Sequence, residues 1–395
     1  MTTLPPYMLA IDSIQELEND LQLPLYAKCD IALVRGEGSY LFDSEGNRYL
    51  DAMSNYGVAA LGHADPVFAE AMADQLTKLT TCHQSFYNDV RAAALAAIHQ
   101  IAPDGLTRYF MSNSGAEAIE AGLKFAMMAT GRHNVVALRR AYHGRTLGAL
   151  SATFDPKYRK PFEPLPIPVT HVAFNDYEAL AAQVNEETAA IILEPVQGEA
   201  GIFPADDDYL RAVRELATAN GALLIADEVQ TGFRTGAPFA ITHAGVSPDI
   251  LCTAKAIGNG FPIGVTMVTE AISEQTVGGA HGTTFGGNPF ACRAVVTTLQ
   301  ALQDRDLYNR STVLGDRLMN GIEAIGSPKI RQVRGRGFMI GVEMKERITP
   351  TLRALQENNV LALPASPVVF RLLPPLVWEE EQVDEFLGVL EKVLA

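Results

Sequence analysis

Cysteine is scarce. Four occur in 395 residues, at Cys29, Cys82, Cys252 and Cys292, and no two form a C-x-x-C pair. That isolation excludes a zinc-ribbon spacing and a disulfide framework, and predicts small buried thiols in a reducing compartment. Long apolar runs are missing as well. The longest break at Glu194 or Asp227, well short of the roughly 18–20 residues that a membrane-spanning helix needs. The opening residues, MTTLPPYMLAIDSIQELEND, have no basic start and turn acidic by Asp12. Neither a secretory signal nor a transit peptide is expected, and the chain is placed in the cytoplasm with no membrane partner. Positive charge is in deficit: 31 Lys and Arg against 46 Asp and Glu leave a net charge of −15. Such a surface argues against nucleic acid, whose binding needs a phosphate-neutralising face. Small anionic substrates, which need only a few local cations, stay open. The signatures G-x-x-x-x-G-K-[ST], H-E-x-x-H and G-x-S-x-G are absent, and the eight histidines show no metal-ligand spacing, so no metal is expected.

What is present is an α/β pattern on a chain too long for one simple core. Residues 13–23 (SIQELENDLQL) predict a short helix with Ser13 and Glu16 in capping-box spacing. Residues 31–51 predict an antiparallel hairpin: the alternating run ALVRGEGSYLFD, a SEGN turn, then RYLDA. In the middle, apolar runs at 135–138, 189–196, 222–229, 248–255 and 262–268 alternate with amphipathic segments such as 115–130 and 206–220. Continuous apolar runs with helices between them predict a largely parallel sheet covered on both faces. Beyond about 305 the order becomes helix (311–326), strand with Gly turns (RQVRGRGFMIGVEM), helix (350–358), strand (VVFRLLPP) and a final helix (378–394). The expected division is 1–60 and 305–395 as a small α+β unit built from both chain ends, around a large domain at 61–304.

Four segments carry chemistry. Asp227 ends one apolar run and Lys255, 28 residues later, ends another; each is followed by a polar, Gly-rich turn (ADEVQTGFRTG and TAKAIGNGFP). Ligands gather at such strand ends in open α/β sheets. A carboxylate there could hold a proton on a pyridine nitrogen, and a desolvated lysine could form an imine. A buried Asp–Lys ion pair fits the same spacing. The segment SNSGAEAIEAGLKFA places small residues at a helix start, suited to an anion or to an ordinary Ser cap. AYHGRT offers an aromatic ring and an arginine, as a stacking surface with a carboxylate clamp or as simple packing. HGTTFGGNP is a loop rich in backbone and hydroxyl donors.

In this order and spacing, from about Tyr40 (YLFDSEGNRYLDAMSNYGVAALGH) to Arg371, the four segments resemble the class III (subgroup II) aminotransferases. The resemblance implies a fold-type I transferase dependent on pyridoxal 5′-phosphate, with a mostly parallel seven-stranded sheet in the large domain. It implies Lys255 as the Schiff-base lysine and acid/base of the proton shift. Asp227 would pair with the pyridinium nitrogen, Val229 pack on the ring, Gln230 lie near the 3′-oxygen and Tyr142 stack. Ser114, Gly115 and Ala116 would hold the phosphate, with Thr284 reaching it from the other subunit of a homodimer whose active sites lie at the interface. Arg145 is expected to bind the substrate α-carboxylate, with Thr283 also on the substrate side. Glu199 would pair with Arg371 while the amine binds and release it for the second substrate. Two places depart from the family pattern: Thr231–Gly236 is one Gly short, beside the expected active-site entrance, and Gly258–Asn259–Gly260 stands where G-G-G is usual.

Within the family, HGRTLGALSAT, EPVQGEAG and HGTTFGGNP look most like the members acting on N2-acetylornithine or on lysine held by the acidic carrier protein LysW. The expected reaction is N2-acetylornithine plus 2-oxoglutarate to N-acetylglutamate 5-semialdehyde plus glutamate, a step of arginine biosynthesis, with carrier-linked lysine or an ornithine- or 4-aminobutyrate-type omega-amine as the alternatives. An acidic carrier as partner would need a basic rim, for which Arg139, Arg140, Lys157, Arg159 and Lys160 are the candidates.

Overall fold

The computed structural model describes residues 11–395, with side-chain surroundings from Ile14 onward. Three short strands, β1 (Leu33–Glu37), β2 (Tyr40–Asp43) and β3 (Arg48–Asp51), form an antiparallel meander. The run expected as one strand is thus two, broken at Gly38, whose φ of 53° turns the chain and whose backbone bridges to His63. The helix expected at 13–23 spans Ile11–Leu21. Ser13 therefore falls inside its first turn rather than at its cap, and the Ser13 side chain and the residues before Ile11 lie outside the described residues.

The central sheet has seven strands: β4 (Leu106–Ser112), β5 (Asn134–Leu138), β6 (Val169–Val172), β7 (Thr188–Leu193), β10 (Leu223–Asp227), β11 (Ile250–Ala254) and β12 (Gly264–Thr269). A two-stranded ribbon, β8 (Val196–Gln197) with β9 (Phe203–Pro204), follows β7. The sheet order is β4-β12-β11-β10-β7-β5-β6, with β12 alone reversed against its neighbours. Its central strands carry apolar side chains to both faces because both are covered. Ala190, Ile192, Ile225, Ile250 and Cys252 join one core, and Ile191, Leu193, Leu224, Ala226 and Leu251 join the other. The helix Gly115–Thr130 covers the first face. Its Gly122 lets it close in: a Cβ there would stand 3.0 Å from the Cys252 Sγ.

Toward the C-terminus, β13 (Ile330–Arg336), β14 (Met339–Met344), β16 (Leu363–Ser366) and β17 (Val369–Leu372) make an antiparallel sheet in the order β13-β14-β17-β16. β15 (Val360–Leu361) pairs instead with β3, so both ends of the chain share one sheet. The four cysteines are free. Cys252 and Cys292 are buried, but Cys82 is half-buried and Cys29 exposed, against the expectation of burial for all four. Among the described residues, no helix is long and apolar enough to cross a membrane.

Candidate active site

The C-terminal ends of β7, β10 and β11 open on a cavity of about 530 Å³. The parallel register sets Asp227 beside Cys252, so Lys255 emerges three residues further on, at the same edge of the sheet. Asp227 ends β10 and Lys255 follows β11 directly; both line the cavity. Lys255 adopts a left-handed φ of 49°, a strained choice for a side chain of its kind. Burial drives its amine below the ordinary lysine range, and Arg371 pushes the same way, while Glu199 and Asp227 oppose. A lysine so placed spends more of its time neutral and nucleophilic.

Asp227 is held on two sides. One carboxylate oxygen lies 2.7 Å from Nδ1 of His143, and the other accepts the Val229 N–H at 3.0 Å. The far nitrogen of His143, Nε2, is buried without a hydrogen-bond partner. Across the sheet, Glu194 follows β7 as Asp227 ends β10. Its two oxygens accept the N–H groups of Tyr142 (2.9 Å) and Gly198 (3.0 Å). Burial pushes this carboxyl up to about 7; His143 pulls it down and Asp227 raises it further.

The helix Gly115–Thr130 points its N-terminus at the cavity. Ser114 caps it, accepting the Glu117 N–H at 3.2 Å, and the Glu117 carboxylate returns to the Asn113 N–H at 2.7 Å. The N–H groups of Gly115 and Ala116 are those the cap leaves for an anion. Gly115 must be glycine, since a Cβ there would come within 2.6 Å of Val229 Cγ1.

At the mouth, the Tyr142 and Tyr158 rings stand edge-on, 5.7 Å apart. Arg145 donates from Nε to the Tyr142 hydroxyl (3.1 Å) and lies 4.8 Å from the Tyr158 ring. Also at the cavity, Glu199 pairs with Arg371 at 2.8 Å. Arg371 also donates from Nη1 to the Gln230 Oε1 (3.2 Å) and sits 5.1 Å from the Tyr56 ring. Arg371 is fully buried, whereas the Glu199 side chain keeps 28% of its exposure.

Of the residues expected at a site, Ser114, Gly115, Ala116, Tyr142, Arg145, Glu199, Asp227, Val229, Gln230 and Lys255 all line this one cavity, and Arg371 stands behind Glu199. Thr283 and Thr284 do not line it. Thr283 Oγ1 accepts from Asn113 Nδ2 at 3.1 Å, and Thr284 is exposed. The shortened run Thr231–Gly236, expected beside the entrance, is mostly core. Thr231 reaches the cavity, but Phe233, Arg234 and Thr235 are buried, with Phe233 packed on Phe239. Of the basic rim, Lys157 stands over the Tyr158 ring at the mouth (4.5 Å). Arg140 stacks instead on Phe203, and Arg159 turns to Glu163 and His171. Sequence reasoning missed His143, Glu194, Tyr26 and Tyr56. Glu194 had a readable signal: like Asp227, it is a carboxylate closing an apolar strand.

The sequence model described as Aminotransferase class-III matches residues 25–394. The chain is 44% identical to the [LysW]-aminoadipate semialdehyde transaminase of Deinococcus radiodurans, over 94% of this chain and 87% of that protein. It is 41% identical to the acetylornithine aminotransferase of Archaeoglobus fulgidus, over 95% and 98%. Among solved structures, the ornithine aminotransferase of Toxoplasma gondii, reported with partial occupancy of pyridoxal phosphate at its active site, superposes with a TM-score of 0.93. That match has 30% identity and covers 98% of this chain and 94% of the other.

The residues present fit the same group here. A buried, depressed lysine suits its aldehyde, the His143-bound Asp227 carboxylate a ring nitrogen, and the glycine-lined helix start a phosphate.

Proposed function

The chain belongs to the class III aminotransferases, enzymes that move amino groups with pyridoxal phosphate, and we propose that it takes the terminal amine of an acylated diamino acid, N2-acetylornithine, and passes it to 2-oxoglutarate. The observation carrying this reading is the Glu199–Arg371 pair at the cavity wall. The donor brings its reacting amine far from its own carboxylate, whereas 2-oxoglutarate brings a carboxylate close to the reacting carbon. One fixed charge pattern cannot suit both, but an arginine covered by a movable carboxylate can. With Glu199 in place the wall is neutral for the amine's chain; with Glu199 swung away, Arg371 receives the acceptor's carboxylate as a charge-assisted pair.

The cofactor, when bound, supplies an aldehyde for the amine and a protonated ring that takes up the electron pair released at the adjacent carbon. Asp227, which His143 orients, would hold the proton on the ring nitrogen. Lys255 Nζ takes the proton from the substrate carbon and returns it, a task suited to an amine depressed toward neutrality. Tyr142 and Val229, which line the cavity, would pack against the ring, and Gly115 and Ala116 at the helix start would hold the phosphate. Arg145, backed by Tyr158, receives the donor's α-carboxylate at the mouth. In this reading the working unit is a homodimer, with Thr284 of the partner subunit closing the phosphate site.

A carrier-linked amine is the second reading. It is favoured by the name of the Deinococcus relative and by Lys157 beside Arg145 and Tyr158, a small basic group at the mouth that an acidic carrier could meet. A single-turnover experiment separates the two. The cofactor-loaded chain is mixed with N2-acetylornithine, ornithine, 4-aminobutyrate or carrier-linked lysine, and loss of the cofactor's visible absorbance is followed. N2-acetylornithine is expected to react fastest; a faster carrier-linked lysine would transfer the proposal to the second reading. Lys255→Ala is expected to lose turnover by at least the roughly 10²–10⁴-fold worth of a general acid/base, and retained turnover would contradict the mechanism.

A further inference from the structure

Glu194 is a buried carboxylate that the reaction above leaves without a part, yet both of its hydrogen bonds reach the site. It is 6% exposed, and each oxygen takes one backbone N–H from a different segment: Tyr142 at 2.9 Å and Gly198 at 3.0 Å. A second tie runs beside it, from Gln197 Nε2 to the Arg139 carbonyl at 2.9 Å. Both tied residues have consequences for the site. Tyr142 carries the ring at the cavity wall and accepts from Arg145. Gly198 immediately precedes Glu199, and it is hemmed in on another side: a Cβ there would stand 2.0 Å from the Gln230 Oε1, the atom that accepts from Arg371.

We propose that Glu194 is a positioning residue whose carboxylate bridges the loop bearing Tyr142 to the turn bearing Glu199, and so fixes the pivot on which Glu199 leaves Arg371. A carboxylate can do this because each of its oxygens is an acceptor. A carboxamide has one acceptor and would set its NH₂ against the second N–H. An aspartate keeps the charge but is one methylene too short to reach both partners. Loosening the pivot harms the closed Glu199–Arg371 pair, which the amine needs, more than the open state, which 2-oxoglutarate needs. This inference rests on reading that pair as a charge switch.

The test uses the cofactor-loaded enzyme with Glu194→Gln and Glu194→Asp, the second also serving if the first does not fold. Amide exchange in peptides covering 140–146 and 194–201 is expected to quicken about tenfold in both variants, the scale of one lost hydrogen bond. The half-reaction with N2-acetylornithine is expected to slow about tenfold more than that with 2-oxoglutarate. Wild-type exchange and kinetics in Glu194→Asp would show that charge alone suffices and overturn the bridge. Equal slowing of both half-reactions would reduce Glu194 to a merely structural group and overturn it too. Failure of the switch reading is separable: Glu199→Gln would then slow both half-reactions equally, while the exchange result still judges Glu194 directly.

Discussion

Arg234 and Arg371 are both fully buried, yet they stand in opposite relations to the chain around them. Arg234 is bonded to fixed parts of the fold. Its Nη1 donates to the carbonyls of Phe338 (3.1 Å) and Pro374 (3.4 Å), and its Nη2 reaches the Ser54 hydroxyl at 3.5 Å. It thereby ties the 231–236 run to the β13–β14 turn and to the segment after β17. Burial lowers its guanidinium to about 10, partly offset by Asp51, so it stays charged at neutral pH. Arg371 is bonded to side chains, one of which, Glu199, is partly exposed; its Nε and Nη2 have no aligned hydrogen-bond acceptor. Burial alone therefore does not separate the two; in the proposed reading only Arg371 meets substrate. What distinguishes them is whether the partner can leave. Main-chain carbonyls cannot, and a side-chain carboxylate at a cavity wall can.

The largest effect is expected at Arg371. Arg371→Ala is expected to slow the 2-oxoglutarate half-reaction roughly 100- to 1,000-fold, the scale of a desolvated charge pair losing one member, measured by stopped-flow absorbance. Arg234→Met should show the reverse pattern. It orphans two buried carbonyls and is expected to destabilise the fold by about 3 kcal/mol, measured by denaturant titration, with rate constants of the folded enzyme within about threefold of wild type. A smaller effect sharpens the fixed side. Glu228, in the same loop as Arg234, accepts the Ile241 N–H at 2.7 Å and the Thr231 hydroxyl, and burial pushes its carboxyl up to about 7. A carboxyl raised on folding favours the folded state at low pH, and that contribution fades as pH climbs from the unfolded value through about 7. Between pH 5 and pH 8 the wild type should therefore lose more stability than Glu228→Gln, by on the order of 1–3 kcal/mol. Parallel pH profiles of the two melting temperatures would refute this assignment.

Much of this contrast was invisible in the sequence, for identifiable reasons. Strands β7, β10 and β11 were legible because both of their faces are buried, which forces continuous apolar runs ending where polar groups begin. The two edge strands were not. LTRYFMS in β4 mixes exposed Arg108 with buried ends, and β6 offers four residues of mixed exposure, so neither shows a clean period. Asp227, Lys255 and the helix start at Ser114 were readable from their places at element ends. The contact between Glu199 and Arg371 joins distant parts of the chain, so no local spacing could reveal it; there the family resemblance carried the reading. His143 shows no local signal of its own, since its partner Asp227 lies 84 residues away; Glu194 does, as a carboxylate closing an apolar strand. The Thr231–Gly236 run was misplaced at the entrance although Phe233, a large apolar residue, already argued for the core.

In the proposed reading, one cavity serves two unlike substrates because Glu199 uncovers Arg371. The most direct measurement is the pair of single-turnover half-reactions in wild type and Glu199→Gln, with N2-acetylornithine on the cofactor's aldehyde form and 2-oxoglutarate on its amine form. The variant is expected to slow the amine half-reaction at least about tenfold more than the 2-oxoglutarate half-reaction, because only the first needs Arg371 neutralised. Equal slowing of the two would contradict it.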